Sequence, residues 1–533
     1  MKTRTIIAAA IAFAAVFAWS CGKDEITDLD QNGQNPNTDP DTGQYDYIDS
    51  VWFNRTISVV FSQSGQATVT GATSDFAVTI NGNGVTIVNN GTDKVRYELS
   101  GSTSNGFLKI YSGKRQALIF NSVSITNPTG SAINIQGLPD SLSKAKRTFV
   151  VLNGINALGD GVSYLNTPSN EDEKAAFFSE SPLIFSGSGS LTVTAIGKSG
   201  IATDDYLRIN EGNITVNMTS QAKVISGDTL KPACLKGKEE FIIVGGTLSL
   251  NSSGTGGKGI SGDSIATFAG GTVTVNVSGA NFGSTGSSGG FPRPGQQSSN
   301  GVSAKGIKFD KSIIFSGSNV SVSCSSHEGI ESKGTITISG GVVYSYSSAD
   351  DAINSSSDFT VTGGLVGAHS TKNDAMDANG NMYIRGGVVY SVTTAGSPEV
   401  SLDANTEGGK KLHVEGGTLI VIGGLENGSQ LTQSCYQASS VTSNTWYSIT
   451  VGTNTYAFKT PTISTSGGGF GPGGGGSRTP TLVVSGSSQP TVKSGVTVNG
   501  GTSYFNNTFT VDGTISGGSQ VSLTNYSSGG GFY

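Results

Sequence analysis

Carboxylate side chains recur at a nearly constant interval along the middle of the chain, and this recurrence is the feature that suggests chemistry. The set consists of Glu328, Asp351 and Asp374, then Glu331, Asn354, Asp377 and Asp403, with Asp350 beside the first series. If equivalent residues stack in neighbouring strands about 4.8 Å apart, two carboxylates repel by about 3.5 kcal/mol at an effective dielectric constant of 20. The series must then protonate, spread apart or hold a cation.

The oxygen-rich composition of this set favours calcium as the cation. Ca²⁺ takes six to eight oxygen ligands, which a flexible polar turn can supply. Zinc is disfavoured because His327, His369 and His413 lack metal-ligand spacing. A solvated acidic edge that binds no ion is the alternative, and the residues alone do not choose between the two.

Lysines and tyrosines near the acidic series are candidate contacts for a ligand. Lys258, Lys305 and Lys308 lie in the preceding repeats, where they either balance charge within the turn or neutralise the carboxylates of an acidic glycan. Tyr344 and Tyr390 are predicted to point outward two repeats apart, at about 10 Å. Exposed aromatic rings stack on sugar faces, although two ordinary exposed tyrosines are the alternative.

These residues owe their spacing to an internal repeat of about 23 residues, in which a glycine is followed two residues later by an aliphatic side chain. The aliphatic column is Ile214, Leu248, Val273, Val320, Val343, Val366, Val389 and Leu419. A second column, which lies upstream of the glycine, is Ile201, Leu235, Ile260, Ile307, Ile330, Ile353, Met376 and Leu402. The long step from Val273 to Val320 is expected to hold two repeats, because a low-complexity loop occupies residues 283–301.

One repeat cannot close a core alone, but stacked repeats bury both columns. The predicted fold is all-β: a single-stranded right-handed parallel β-helix, or solenoid, with a smaller C-terminal β region. The composition agrees, since 78 of the 533 residues are glycine and only 13% are charged. It excludes a helical bundle, a coiled coil and a chain of βαβ units. The net charge of −6 argues against nucleic acid as a partner.

The beginning of the chain predicts export and anchoring. Residues 1–20 have the pattern of a signal peptide, and Ala18-Trp19-Ser20-Cys21 resembles the lipobox of bacterial lipoproteins, in which the cysteine is acylated. The following Gly22-Lys23-Asp24-Glu25 resembles the surface-export signal of Bacteroidetes lipoproteins. We therefore expect a monomeric outer-membrane lipoprotein that is held by lipid on Cys21 and displayed at the cell surface. An ordinary secreted protein is the alternative.

Changes in composition predict the domain boundaries. Residues 21–52 are rich in Asp, Asn, Gly and Pro and should form a flexible tether. Residues 53–425 are assigned to the β-helix. Residues 426–533 are assigned to a C-terminal β-rich region, which is divided by a Gly-rich linker at 467–476.

The middle of the sequence is similar to a family of bacterial carbohydrate-binding β-helix proteins. The segments that carry the resemblance are YELSGSTSNGFLKI, LIFNSVSITNPTGSAINIQ, KGIKFDKSIIFSGS and DDAINSSSDFTVTGG. The resemblance implies a pectate-lyase-like right-handed β-helix, calcium at acidic turns, and binding of acidic plant polysaccharide or cellulose without lyase activity. The acidic turn matches at residues 350–354 and 373–377, is altered at 327–331, and contains lysine instead at 258–260 and 305–308.

Three functions are candidates. The first is non-catalytic, calcium-dependent binding of a polysaccharide such as polygalacturonate, or of a cellulose-like glycan, by a surface-tethered lipoprotein. The second is a polysaccharide lyase or hydrolase on the same scaffold, and the third is a structural surface adhesin. No catalytic residue is assigned, because β-elimination needs a positioned base and nothing in the sequence places Arg385 near the acidic series.

Overall fold

The structure is a computed structural model that describes residues 46–138, 146–165, 167–168, 171–225, 227–283, 301–463 and 481–528. The predicted signal peptide, Cys21, most of the tether and the Gly-rich linker lie outside these residues. The described chain is all-β apart from one 3-10 turn at Ile48–Ser50. It contains no helix with the length and hydropathy that a membrane span requires.

Each repeat contributes three short strands, and each strand pairs in parallel with the equivalent strand of the next repeat. One repeat supplies Ile330–Ser332, Thr335–Ile338 and Val342–Ser347. Their partners in the following repeat are, in the same order, Ile353–Ser355, Phe359–Val361 and Leu365–Ser370. We call the three stacks ladder 1, ladder 2 and ladder 3, in the order in which a repeat supplies their strands.

Ladder 1 is a sheet of 13 strands: Phe76–Asn81, Asn83–Asn89, Gly106–Ser112, Ile133–Gln136, Ala175–Ser179, Ser199–Thr203, Ala233–Gly237, Lys258–Gly262, Ile307–Phe309, Ile330–Ser332, Ile353–Ser355, Met376–Ala378 and Leu402–Ala404. Ladder 2 contains Arg55–Phe61 with the antiparallel Thr68–Thr70, then Val95–Thr103, Gln116–Asn121, Thr148–Asn153, Leu183–Ser186, Leu207–Ile209, Glu240–Ile243, Ile265–Phe268, Ser312–Phe315, Thr335–Ile338, Phe359–Val361, Met382–Ile384, Leu412–Val414 and Gln430–Leu431.

Ladder 3 contains Ser124–Thr126, Ile155–Gly159, Ser190–Ala195, Asn213–Met218, Thr247–Ser252, Thr272–Val277, Asn319–Cys324, Val342–Ser347, Leu365–Ser370, Val388–Thr393 and Thr418–Ile422, and it ends in the antiparallel strands Leu482–Ser485, Cys435–Ala438 and Thr524–Asn525. Ladders 2 and 3 belong to one sheet, because Val95–Thr103 pairs with strands of both. The large sheets are therefore mainly parallel, with antiparallel strands at their ends. A separate hairpin joins Lys223–Ile225 to Asp228–Leu230.

The two predicted aliphatic columns stack in register inside the ladders. In ladder 3 the column runs from Ile214 to Leu419 through every repeat. In ladder 1 the column from Ile201 to Leu402 does the same. All of these side chains are buried, and each burial stabilises the fold by on the order of 1.5–3 kcal/mol. The stacking predicted from the repeat is confirmed.

One detail of the repeat prediction is wrong. Val273 pairs directly with Val320, so the long step between them holds one repeat with an insertion. The additional residues fall between the ladder 3 strand Thr272–Val277 and the ladder 1 strand Ile307–Phe309. Such an insertion costs little, because the entropy of loop closure grows slowly with length.

The recurring glycine marks the turn into ladder 3. Gly364 and Gly387 have φ angles of 83° and 76°, in a region that glycine adopts without a steric penalty. A Cβ atom on Gly364 would also lie 2.8 Å from the carbonyl oxygen of Gly341 in the preceding repeat. At these glycines both the conformation and the stacking distance exclude a side chain, whereas Ser318, which precedes Val320 by two residues, is accommodated in the same column.

Residues 46–52, which were assigned to the tether, pack against ladder 2. Ile48, Val51 and Phe53 lie on outward-facing apolar side chains that include Phe149. Asp46 is only 3% exposed, and its Oδ1 lies 3.0 Å from Nε of Arg147. The packed part of the chain therefore includes residues before the predicted boundary at 53.

The C-terminal residues form an antiparallel sheet that packs on the outward face of ladder 3. We call it the C-terminal lobe; its strands are Trp446–Val451, Asn454–Lys459, Thr491–Asn499, Thr502–Tyr504, Phe509–Val511 and Thr514–Gln520. Phe505 stacks on Tyr344 and Tyr390, with ring centres 5.2 Å and 6.5 Å apart. Phe505 has a φ angle of 56°, which is an outlier for a bulky residue, so the packing of its ring must offset the strain.

Substitution of Gly367 by valine should weaken the docking of the lobe. A Cβ atom at this position would lie 2.8 Å from the Phe505 ring, so the ring must move. We expect the free energy of unfolding, measured by urea denaturation, to fall by about 1–3 kcal/mol. The control is Ser321→Val, which occupies the same strand position two repeats earlier. Equal effects of the two substitutions would contradict the assigned contact.

Candidate functional site

The acidic residues lie at the corner where each repeat passes from ladder 3 to ladder 1. The backbone stacks in register there, since the Gly329 amide donates to the Asp351 carbonyl oxygen (3.2 Å) and the Ala352 amide donates to the Asp374 carbonyl oxygen (3.3 Å). Glu328, Asp351 and Asp374 are therefore superposed repeat over repeat. The second series pairs within ladder 1 in the order Glu331, Asn354, Asp377 and Asp403.

Basic side chains neutralise the first carboxylate of each series. Nζ of Lys305 lies 2.9 Å from Oε2 of Glu328 and 2.5 Å from Oε2 of Glu331. Lys333 pairs with the other carboxylate oxygen of Glu331. This end of the acidic corner has its charge balanced by the protein itself.

His327, Glu328 and Asp350 form the tightest group of possible metal ligands in the described part of the chain, with one atom of each within 4.8 Å of the others. Burial opposes the charged imidazole, but hydrogen bonds to Asp350 and Glu328 raise the pKa of His327 to about 9. Burial also opposes ionised Glu328, yet His327 and Lys305 lower its pKa to about 2. The group is an internally neutralised ion cluster, and a metal there would have to displace a proton from His327.

The later carboxylates have no basic ion-pair partner among the residues that the structure describes. Nδ2 of Asn354 donates to Oδ2 of Asp351 (2.8 Å) and to Oδ2 of Asp377 (3.1 Å), so carboxylates of two repeats converge on one point. Asp351 is only 4% exposed, and its Oδ1 has no hydrogen-bond partner in the described chain. A buried carboxylate without a compensating charge is costly, and a bound cation would remove that cost.

The pKa values of these carboxyl groups reflect the same cost of burying an ionised carboxylate. Burial raises the pKa of Asp351 to about 9, and repulsion from Asp377 and Asp350 adds to the shift. Burial raises the pKa of Asp374 to about 7, and the pKa values of Asp377 and Asp403 to about 6. Neighbouring carboxylates contribute in each case. A cation at this corner would reverse these shifts, because an adjacent positive charge favours the ionised form.

Glu426 and Glu399 belong to the same acidic cluster and were not predicted. Burial and the hydrogen-bonded Asp403 raise the pKa of Glu426 to about 7. Glu426 follows Asp403 by 23 residues, and Leu402 pairs with Leu425, so one further step of the series would have found it. Glu399, which is hydrogen-bonded to Asp374, lies in an insertion and has no periodic signal.

The three predicted lysines have different environments. Lys305 is paired as described above, and Lys308 contacts Asp310, so both balance charge locally, which is the alternative that the sequence left open. Lys258 lies one repeat earlier, where the Gly259 amide donates to the Lys305 carbonyl oxygen (3.1 Å). Within the described chain no carboxylate pairs with Lys258, so of the three predicted lysines only Lys258 lacks a counterion.

Tyr344 and Tyr390 do not form an exposed platform, and this prediction is wrong. Both project outward from ladder 3 on either side of Gly367, as the register requires. The C-terminal lobe covers them, however, and they are only 6% and 5% exposed. Oη of Tyr390 donates to the Lys459 carbonyl oxygen (2.7 Å). The repeat determines the direction in which a side chain points, but not whether a segment from elsewhere in the chain packs on it.

Ladder 2 carries a partly exposed aromatic pair that was not predicted from the sequence. The rings of Tyr383 and His413 stack with centres 4.8 Å apart. The Arg385 guanidinium lies 4.2 Å from the centre of the Tyr383 ring, and its Nε lies 2.7 Å from Oε2 of Glu415. Tyr383 and His413 are 30 residues apart, so a fixed period of 23 does not align them.

The chain is similar to known carbohydrate-binding proteins. A curated relative from Acetivibrio thermocellus, described as a carbohydrate-binding domain-containing protein, is 32% identical over 124 residues, which are 22% of this chain and 41% of the relative. The matched region thus spans less than half the length of that relative. A solved structure, described as the polysaccharide lyase-like protein from C. thermocellum in a gadolinium derivative, aligns with 66% of this chain and 99% of its own, with 18% identity and a TM-score of 0.32.

The family of the chain follows from a longer match. Residues 81–373 match the family described as carbohydrate-binding domain-containing protein. The match covers more than half of the chain and includes the corner from Lys258 to Asp351. The chain therefore belongs to this carbohydrate-binding domain family.

The raised pKa values predict how stability depends on pH. Carboxyls whose pKa is higher in the folded than in the unfolded chain bind protons more tightly when folded, so their stabilising effect is full below about pH 4 and is lost as they ionise through pH 6–9. We expect the melting temperature of calcium-free protein to fall between pH 4.5 and pH 7.5. Calcium should raise it at pH 7.5 and have little effect at pH 4.5, as differential scanning fluorimetry would show.

Removal of the charges should abolish this dependence. In Asp351→Asn/Asp374→Asn we expect a higher melting temperature than wild type in chelator at pH 7.5, because repulsion is relieved, and a smaller rise with calcium. The exposed pair Asp49→Asn/Asp228→Asn makes the same change in net charge and is the control. A calcium response as large as that of wild type in the first variant would exclude these carboxylates as ligands.

Proposed function

We propose that this protein binds polysaccharide without cleaving it, and that calcium held at the acidic corner is part of the binding site. The observation that carries the proposal is a buried, oxygen-rich cluster without basic partners in a chain of a carbohydrate-binding family. Membership of the family supports a carbohydrate ligand. The uncompensated carboxylates support a cation as a component of the site.

The residues that fit calcium best are Asp351, Asn354, Asp374, Asp377 and Asp403. They offer only oxygen ligands, as Ca²⁺ prefers, once the Asn354 amide turns its oxygen toward the carboxylates. The unpartnered Oδ1 of Asp351 supplies a further lone pair. Glu328, Glu331 and Asp350, also predicted as ligands, fit less well because lysine and histidine already neutralise them. A bound Ca²⁺ would supply positive charge and would coordinate carboxylate and hydroxyl oxygens of the sugar.

The winding of the chain supports an elongated binding surface. We infer that the three ladders form a single right-handed parallel β-helix, because crossover connections between parallel strands of one sheet are right-handed in about 98% of cases. Equivalent residues then form lines parallel to the long axis at about 4.8 Å per repeat. A glycan chain laid along this axis would meet the same type of turn in successive repeats.

Two features support binding rather than cleavage. β-Elimination needs a base within hydrogen-bond reach of the substrate proton. In the described chain no arginine contacts the acidic cluster, and the lysine that does, Lys305, is held in ion pairs with Glu328 and Glu331. Arg385, the candidate base, lies on ladder 2 and is paired with Glu415 (2.7 Å). The proposed location is the outer surface of the cell, with lipid on Cys21 as the anchor; the lipobox-like sequence supports this part of the proposal.

Affinity electrophoresis tests the proposal directly. The protein should be retarded in a gel that contains polygalacturonate and calcium, and the retardation should decrease in chelator. A cellulose derivative in a parallel gel tests the neutral alternative. Asp351→Asn/Asp374→Asn should lose the calcium-dependent part of the retardation, whereas Asp49→Asn/Asp228→Asn should keep it.

Two results would overturn the proposal. Absence of retardation by any glycan, with calcium or with chelator, would exclude polysaccharide binding and favour a structural role at the surface. New ultraviolet absorbance from unsaturated sugar ends, measured with the same polygalacturonate, would show that the protein is a lyase.

A further inference from the structure

Lys258 lacks a counterion among the described residues of the corner that carries the acidic cluster. It is only 8% exposed, and in the described part of the chain its ammonium group has neither an ion-pair nor a hydrogen-bond partner. Taking an ammonium group largely out of water without a counterion is unfavourable, as it is for a lone carboxylate.

The charges around Lys258 are also positive. Burial lowers its pKa to about 7, and the neighbouring Lys305, Lys308, Lys231 and Lys236 lower it further in the same direction. Lys305 is as buried as Lys258 but has carboxylates at 2.9 Å and 2.5 Å, and its pKa is raised. Burial alone therefore does not explain the lowered pKa of Lys258. The difference is that Lys305 has anionic partners and Lys258 has none among the described residues.

Lys236 extends the positive region by one repeat. It pairs with Ser261 in ladder 1, and Ala233 of the same strand pairs with Lys258, so Lys236 and Lys258 lie on adjacent strands of one corner. Lys236 also has no ion-pair partner in the described chain, and burial lowers its pKa, although the nearby Asp263 carboxylate opposes the shift. Lys308 lies two repeats from Lys236 in the same column, beyond Ser261; it pairs with Asp310 and is therefore less available.

The geometry points to an anion-binding site at Lys258 and Lys236 that takes a carboxylate or sulfate group of the glycan directly, without calcium. The inference rests on the proposed polysaccharide binding for its natural ligand and selects an anionic glycan over a cellulose-like one. Lys258 and Asp351 are three repeats apart, or about 14 Å along the ladder. One glycan chain along the corner can therefore engage the lysines with one acidic group and the calcium site with another.

Inorganic sulfate is the first probe, because it tests the site without any glycan. In chelator, sulfate should raise the melting temperature of wild-type protein more than sodium chloride of equal ionic strength does. Lys258→Met should lose the sulfate-specific part of this rise, and without anions it should melt at or above the wild-type temperature because a lone buried charge is gone. Lys311→Met, at an exposed lysine, is the matched control and should behave as wild type. Sulfate also stabilises proteins generally, and the two variants separate that effect.

Oligogalacturonate and its methyl ester form the second pair of probes, measured by calorimetry in chelator. Wild type and Lys311→Met should bind the acid form at least about tenfold more tightly than the ester, since charge-assisted contacts to a buried ammonium are strong. Lys258→Met should bind both forms equally. Lys236→Met should show a similar loss and provides the same test should Lys258→Met not fold.

The outcomes separate this inference from the proposed function. If Lys258→Met and Lys236→Met retain the sulfate response and the preference for the acid form, the anion site is wrong, even if calcium-dependent retardation by polygalacturonate persists. If no glycan is retained but the sulfate response is present and depends on Lys258, the anion site stands and polysaccharide binding fails. Acid preference without a sulfate response in wild type would assign the ligand as a carboxylate.

Discussion

In-register stacking of equivalent residues is the constraint on which the rest of this structure depends. Parallel strands about 4.8 Å apart place each side chain against its counterpart one repeat away. For aliphatic residues this is favourable, and the columns that end in Leu419 and Leu402 are buried throughout. For ionised residues the same rule forces like charges together. The acidic corner is therefore a direct consequence of the register that builds the core, and not a separate local motif.

Along this corner the side chains change once from basic (Lys258, Lys305) to acidic (Glu328, Asp351, Asp374). The position of this change determines which charged residues find a partner in the protein. At the change, Lys305 pairs with Glu328 and Glu331, and both series are neutralised there. One repeat further on, His327 still pairs with Asp350 of the next repeat. Beyond that point the neighbouring acidic side chains have the same sign and cannot pair with one another. Among the described residues, the corner is left with carboxylates near Asp351 and Asp374 that have no basic partner and with ammonium groups at Lys258 and Lys236 that have no ion pair. The proposed cation would neutralise one side of the corner and the proposed anion the other.

The features that the repeat controls could be predicted from the sequence. Contacts between the repeats and segments outside them could not. The register of Glu328, Asp351 and Asp374 followed from spacing alone, because parallel stacking of repeats makes residues one period apart in the sequence neighbours in space. The burial of Tyr344 did not follow, since Phe505 reaches it from 161 positions further along the chain with no periodic signal. Insertions had the same effect: they hid the pairing of Tyr383 with His413 and led to the wrong count of repeats between Val273 and Val320. The predicted lipid anchor and the predicted metal ligands remain predictions.

The segments outside the repeats also determine which faces of the ladders remain accessible to a ligand. Residues 46–53 cover apolar side chains on the outward face of ladder 2, and the C-terminal lobe covers the outward face of ladder 3 around Tyr390. Both segments bury apolar side chains that would otherwise form exposed patches, which soluble proteins rarely tolerate. The corner between ladders 3 and 1 carries charged residues instead and is not part of either apolar contact. The unbalanced charges at this corner oppose the burial energy of the stacked aliphatic columns. Because the net stability of a folded protein is a small difference between large terms, ligands that neutralise the corner should stabilise the fold as they bind, while the buried columns keep the ladders folded without them.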